Sequence, residues 1–266
     1  MARTLSILLF ITAFSIFSYA QETEELIATI NEKAKTISSD RMGNLYLIND
    51  YSIKKYDRQG KLIKEYNSKK YGTIHSIDAT DPHKILVFFQ EYATVLTLDN
   101  YLSPIGNSID LNQLGYDKVS TIARSRDGGF WIYDKVSQKI FRLDSRWEKK
   151  YESVMITQWF GNRLYPTEMV EMNDRLYLND PKFGLFVFDH FAAFDKKINL
   201  KQLNQIQVLD NTLYFVMNGE FCIFHIAKLA RACKENEGDV VIQQARIEKN
   251  RFYTSDGTEI KIFKTN

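Results

Sequence analysis

Two cysteines, four histidines, four prolines and twelve glycines are all that this chain of 266 residues carries of those four types. So little proline and glycine excludes collagen-like and linker-rich chains. Two thiols with one nearby histidine, His225, make a poor zinc set. Neither sign of charge is in excess, because 35 Lys and Arg stand against 33 Asp and Glu, a net +2. Nucleic-acid binders show a basic excess or patch, so no nucleic-acid partner is expected. Beyond residue 20 no apolar run reaches the ~18 residues that a membrane-spanning helix needs, and no such segment is expected in the mature chain. Motifs are missing too. There is no Gly-x-Ser-x-Gly elbow, GxxxxGK[ST] loop or GxGxxG turn. His75, His83, His190 and His225 stand in no recognisable hydrolase pattern.

What is present points to a folded, exported chain. Apolar residues make up 44% and charged residues 26%, which rules out bulk disorder, and 18 Phe and 15 Tyr offer large side chains for a core. Arg3, an apolar run over residues 5–17 and Ser18-Tyr19-Ala20 read as a secretory signal peptide over 1–20, cut between Ala20 and Gln21. The run is too short to span a bilayer, and no cysteine follows the cut to take a lipid. Residues 21–266 are then one exported domain, periplasmic or secreted. Export permits a Cys222–Cys233 disulfide; two buried free thiols are the alternative, and the sequence leaves both open.

A repeat runs through those residues. β-type runs begin at Leu45, Ile85, Phe130, Leu176, Leu213 and Phe252, roughly every 41 residues. A second run follows each and ends Tyr56-Asp57, Leu98-Asp99, Leu143-Asp144 and Phe188-Asp189, then Phe224-His225 and Phe263-Lys264. Each unit reads as four short strands; in the first they cover residues 35–39, 44–49, 52–56 and 61–67. Asp57-Arg58-Gln59-Gly60 is a good type I turn between the last two. Four-stranded units of this period are propeller blades. The chain resembles the six-bladed β-propeller superfamily, with its NHL-like and strictosidine-synthase-like members, in repeat period and strand pattern over the whole exported length. The resemblance implies an all-β fold and carries no catalytic motif.

The last unit supplies strands over 239–248, 251–255 and 259–264 and lacks a fourth. Residues 24–31, alternating Leu26, Ala28 and Ile30, are expected to provide it and close the ring. In unit five, Ile226, Leu229, Ala230 and Cys233 fall at helical spacing among strong helix formers, predicting a short helix over 227–233.

Two chemistries compete for function. Some six-bladed propellers hold a divalent cation at the channel mouth and act as hydrolases or lactonases. Asp50, Glu91, Asp134, Asp180, Asn218 and Asp256 follow the second strand of each unit, and Glu168 and Glu171 lie on the innermost strand of the fourth. Calcium or another divalent cation needs several such oxygens on one centre, whereas turn Asp and Asn are favoured for local backbone bonding. No catalytic residue and no metal ligand is therefore assigned. The favoured reading is a non-enzymatic envelope propeller that binds an envelope or extracellular protein, or secondarily a glycan, through its inter-blade loops. Those loops carry Tyr71, Tyr116, Trp159, Phe160, Arg163 and Tyr165, and the longest covers 157–166. Trp, Tyr and Arg are the usual interface anchors; wedging between blades is their structural alternative.

Overall fold

The computed structural model describes residues 24–234 and 241–265. The expected signal peptide and residues 239–240 of the expected strand lie outside them.

β1 (Glu25–Ile30) opens the described chain. Blade one is β2 (Thr36–Ser39), β3 (Leu45–Ile48), β4 (Ser52–Tyr56) and β5 (Leu62–Asn67). Blade two is β6 (Ser76–Asp78), β7 (Ile85–Phe89), β8 (Thr94–Leu98) and β9 (Ile109–Asp110). Blade three is β10 (Val119–Arg124), β11 (Phe130–Asp134), β12 (Lys139–Leu143) and β13 (Lys149–Glu152). A short helix, α1 (Ile156–Phe160), leads into blade four, which is β14 (Glu168–Met172), β15 (Arg175–Asp180), β16 (Gly184–Asp189) and β17 (Phe194–Ile198). Blade five is β18 (Asn204–Leu209), β19 (Thr212–Met217), β20 (Glu220–His225) and β21 (Ala230–Lys234). Blade six takes β22 (Gln244–Glu248), β23 (Arg251–Ser255) and β24 (Ile260–Lys264), with β1 hydrogen-bonded to β24 as its outer strand. Every sheet is antiparallel and four-stranded, so the molecule is the expected six-bladed β-propeller.

The core lies between blades. Successive residues of a strand point to opposite faces, and both faces of each second strand meet a neighbouring blade. Tyr46 and Ile48 of β3 pack towards blade two, while Leu45 and Leu47 pack towards blade six. Trp131 and Tyr133 of β11 face blade four, while Phe130 and Ile132 face blade two. This explains why the second strands carry unbroken apolar stretches rather than alternating, down to Phe252 and Tyr253 in β23, which face blades five and one. A one-residue slip would exchange the two neighbours' contacts. Fourth strands have one side in solvent, and β13 (KKYE) is exposed along its whole length.

Turns close the outer hairpins in one repeated way. Asp57, Asp99, Asp144 and Asp189 each turn Oδ1 back to accept from the backbone N–H groups two and four residues on, at 2.8–3.0 Å. Gly60 ends the first such turn at φ 79°, where a Cβ would stand 2.9 Å from Ala28 Cβ across the seam.

The ring closes as expected, with one shift. A bulge between Leu26 and Ala28 turns Leu26 outwards, 52% exposed, while Ile27, Ala28 and Ile30 join the cluster between blades six and one. Tyr253 Oη donates to Gly43 O across this junction at 2.7 Å.

The helix expected over 227–233 does not form. Leu229 adopts φ 51°, which no right-handed helix continues through, and its side chain is 68% exposed. Residues from Ala230 onwards instead pair with β20, placing Cys222 directly opposite Cys233 in a disulfide. Pairing to an otherwise open sheet edge, together with the covalent cross-link, overrides local helix propensity.

Candidate functional site

First strands begin on the same face of the ring as the turns between second and third strands. The inter-blade loops therefore cross this face. At the junction of blades three and four, α1 lies in the groove with Ile156 buried, and Gly161 ends it at φ 76° by donating to Thr157 O. Phe160 wedges beneath, its ring 5.2 Å from Phe183 and 5.0 Å from Phe186, with Lys197 Nζ 5.2 Å from its centroid. Trp159 stays 36% exposed and lies 4.1 Å from Phe194 of the outer strand β17. Three residues before Phe194, exposed Phe191 meets exposed Tyr151 of β13 at 5.2 Å. With exposed Val154 and Met155, these side chains form an apolar strip down the flank between blades three and four.

Arg163 and Tyr165 continue this surface onto the loop face. Arg163 is exposed and donates through Nη2 to Lys135 O at 2.9 Å. Tyr165 is 60% exposed, and its backbone N–H donates to Asp180 Oδ2 at 2.7 Å. The other two loop aromatics stand at earlier junctions. Tyr71 lies 5.3 Å from Phe89 beside the ammonium of Lys70, and Tyr116 lies 5.0 Å from Phe141, where burial raises its pKa. The structure thus joins Trp159, Phe160, Arg163 and Tyr165 at one junction and holds Tyr71 and Tyr116 against their own blades. Tyr151, Phe191 and Phe194 escaped the loop-based reading because they lie on outer strands or their hairpin turn. Their signal is an aromatic residue where an outer strand should show only polar groups.

The central channel is bounded by the six first strands, and side chains there stitch blades two to six in series and blade six to blade one. Asp78 Oδ2 accepts from Arg124 N at 2.8 Å, and Glu171 accepts from Arg126 N and from the indole of Trp131. Glu168 accepts from Gln205 N at 2.8 Å and Ile206 N at 2.6 Å. Gln207 Oε1 accepts from Ile247 N, and Gln244 Oε1 from Ile37 N. Arg246 reaches through Nη1 to Ile206 O at 3.0 Å and through Nε to Ile37 O at 3.5 Å. Burial holds its pKa below the ordinary guanidinium value, against the pull of Glu168, Glu248 and Asp78. Burial likewise raises the pKa of Glu168 and of Glu248. None of Gln205, Gln207, Gln244 and Arg246 stood out in the sequence, although polar residues two apart in a short first strand were there to be read.

Four of the six turn acceptors weighed as cation ligands serve their surroundings. Asp134 accepts from Val136 N, Asp180 from Lys182 N and Phe183 N, and Asp256 from Thr258 N and Glu259 N, while Asp50 pairs with Lys35 at 2.8 Å. Among the described residues, Glu220, Cys222 and Cys233 form a group within mutual ligand distance, and its two sulfurs are bonded to each other.

No protein-family model and no curated protein matches the sequence. Solved structures do. The Neurospora crassa Pan2 WD40 domain is similar at TM-score 0.67 and 8% identity, covering 91% of this chain and 95% of its own. A chain of the Mitotic Checkpoint Complex is similar at 0.66 and 8%, covering 99% of both. Virginiamycin B lyase from Staphylococcus aureus, crystallised with Quinupristin, is similar at 0.59 and 11%, covering 86% of this chain and 80% of its own. At such identities the likeness shows the propeller fold alone.

Proposed function

We propose that this chain is an exported, non-enzymatic propeller of the cell envelope that binds another protein through the surface centred on Trp159. The observation that carries the reading is the apolar strip of Tyr151, Trp159, Phe191 and Phe194, exposed beside Arg163 and Tyr165. Aromatic side chains of this kind are costly to leave in water and are the usual anchors of interfaces. Around the strip, Lys149 and Lys150 pair with Glu152 and Asp144, and Lys197 lies over the rings of Phe160 and Phe186, so the strip's rim is charge-balanced and its apolar rings are the anchors. Propellers similar in fold include a chain of a multiprotein complex, which makes an interaction role a natural use of the ring. Kinship with NHL-like or strictosidine-synthase-like members belongs to this proposal. The metal-assisted hydrolase draws no support from channel carboxylates that already accept backbone N–H groups.

The test is a pair of single variants. Trp159→Ala truncates a ring that is 36% exposed and leans on Phe194; it is expected to weaken partner capture from envelope extract by about 2 kcal/mol, a hot-spot loss, and to cost less stability than Phe160→Ala. Phe160→Ala removes a wedge and is expected to cost about 3 kcal/mol of stability. A Trp159→Ala protein that melts normally and retains its partner at full affinity would overturn the proposed surface. Mass spectrometry of cell-derived protein should find the N-terminus near Gln21; an intact Met1 would overturn export.

A further inference from the structure

The face crossed by the inter-blade loops carries a charge excess that the whole chain, at net +2, does not. Among the described residues its loops and turns present nine cations, and hydrogen bonds fix these loops on that face. Lys33 O accepts from Asn49 Nδ2, and Lys118 O accepts from Lys135 N. Lys135 O accepts in turn from Arg163. Gln202 N, next to Lys201, donates to Pro181 O, next to Lys182. Lys69 and Lys70 lie over the rings of Tyr51 and Tyr71, and Lys35 completes the set.

Few carboxylates answer them. Six stand in the same loops and turns. Glu32, Asp50 and Glu259 are paired with Lys54, Lys35 and Lys261, and Asp256 accepts from Thr258 N and Glu259 N. Among the described residues, Lys35 is the one cation of the nine in an ion pair, and Glu91 and Asp117 are the carboxylates left to face the other eight. The connection into blade six reads Glu235, Glu237 and Asp239 in sequence, and that blade brings Asp256 and Glu259. The excess therefore belongs to the arc from blade one to the entry of blade five. Within this arc His75 lines the channel, where burial and the ammoniums of Lys135 and Lys35 hold its pKa below the ordinary value. The opposite face mixes the signs, with Arg41 and Arg126 paired to Asp81 and Asp174.

Charge complementarity selects an anionic partner, and the pattern selects its kind. Exposed Tyr51, Tyr92, Val136 and Tyr165 stand among the cations, so the partner brings apolar groups as well as charge. A nucleic acid carries charge at every step of its chain and would lay it on Glu91 and Asp117 too, as would an anionic bilayer. A protein segment can leave those positions neutral or basic. Eight of the nine cations are lysines, point charges without the guanidinium fork that suits phosphate. Arg163 and Tyr165 also border the Trp159 strip, which lets one partner reach both surfaces. We propose that the loop face of blades one to four docks an acidic segment of a protein partner, one whose carboxylates are interspersed with apolar side chains. The choice of a protein rests on the docking role proposed above; the sign of its charge rests on this face.

The experiment is fluorescence anisotropy of the full protein with a labelled random copolymer of glutamate and tyrosine as probe. Heparin, a single-stranded oligonucleotide and phosphatidylglycerol vesicles serve as competitors. Saturable binding of the copolymer is expected, and it should weaken as salt screens the contact. Joint replacement Lys69→Gln, Lys118→Gln and Lys135→Gln removes three unpaired ammoniums and should weaken binding about tenfold, with an unchanged melting curve. Joint replacement Lys61→Gln, Lys84→Gln and Lys249→Gln removes the same charge from exposed positions on the opposite face and should bind as wild type does. Trp159→Ala should also bind the probe normally, so that failure of the flank surface and failure of this face are told apart. The proposal is overturned if the copolymer does not bind, or if the first triple variant binds as wild type does. It is equally overturned if the second triple variant loses as much as the first, if Trp159→Ala abolishes binding, or if any competitor binds more tightly than the copolymer.

Discussion

Glu248 hangs in the channel wall with its charge imperfectly compensated. Burial raises its pKa above the ordinary 4.5, against Arg246 and the hydrogen bonds from Ser39 and Gln207, and Asp40 adds to the rise. The folded state therefore holds this proton more tightly than the unfolded chain does. The group's contribution to stability is full below about pH 4.5 and is lost as pH rises through the folded-state pKa. Glu248→Gln keeps an acceptor oxygen for Gln207 and Ser39 and stays neutral throughout. The variant's melting temperature, relative to wild type, is expected to climb as pH rises from acid to neutral. Melts across that range check it, and a gap that does not change with pH would contradict the assigned burial effect. Among single residues, the turn aspartates were the easiest to read, because an Asp that accepts from the N–H groups two and four positions on needs only its own loop. The channel belt could not be read so directly. Gln205, Gln244 and Arg246 acquire their roles only when blades five, six and one meet.

Strands with both faces buried announce themselves as apolar runs, so β3, β7, β11, β15, β19 and β23 were legible with their spacing. The outer strands carry a weaker signal, since one side meets solvent and propensity decides little. That is how β21 was mistaken for a helix and α1 went unread. The latter has no side-chain cap at Met155, so it gives no start signal, and it exists because Ile156 and Phe160 fill a groove. β1 is the outer strand with the most at stake. It covers β24, buries Ile30 among Tyr253, Ile260 and Ile262, and places Glu24 2.6 Å from Lys234 of blade five. Deleting residues 24–31 should leave β24 as an open edge and abolish cooperative melting or cause aggregation. Ile30→Ala, which trims the contact without opening the edge, should cost about 2 kcal/mol or more. Calorimetry with size-exclusion chromatography reads both; a deletion variant as monomeric and cooperative as the parent would reduce β1 to a tail.

A closed ring opens at its weakest junction. Among the described residues, twelve buried apolar side chains join blades one and two, with Tyr71 and Ile77 half-buried beside them; blades five and six are joined by four, Val216, Phe221, Ala245 and Phe252, with Tyr214, Ile223, Ile242, Ile247 and Phe263 half-buried beside them. With each fully buried side chain contributing roughly 1.5–3 kcal/mol and a half-buried one less, the second contact is the weaker of the two. Polar bridges from Gln207 to β22 and from Arg246 to β18 partly offset this. The Cys222–Cys233 disulfide lies in blade five beside the same junction. It ties β20 to β21 across a separation of eleven residues, a loop closure of about 3 kcal/mol. Oxidised protein should therefore open between the blades while blade five stays intact. Amide hydrogen exchange ought to be fastest, among inner strands, in β22, and slow in β10, β14 and β20. Reducing the disulfide should extend fast exchange to β20 and β21 and leave β3 and β11 unchanged. Uniform acceleration around the ring on reduction would mean that the blades unfold as one unit, and that the junction of blades five and six is not where the propeller gives way.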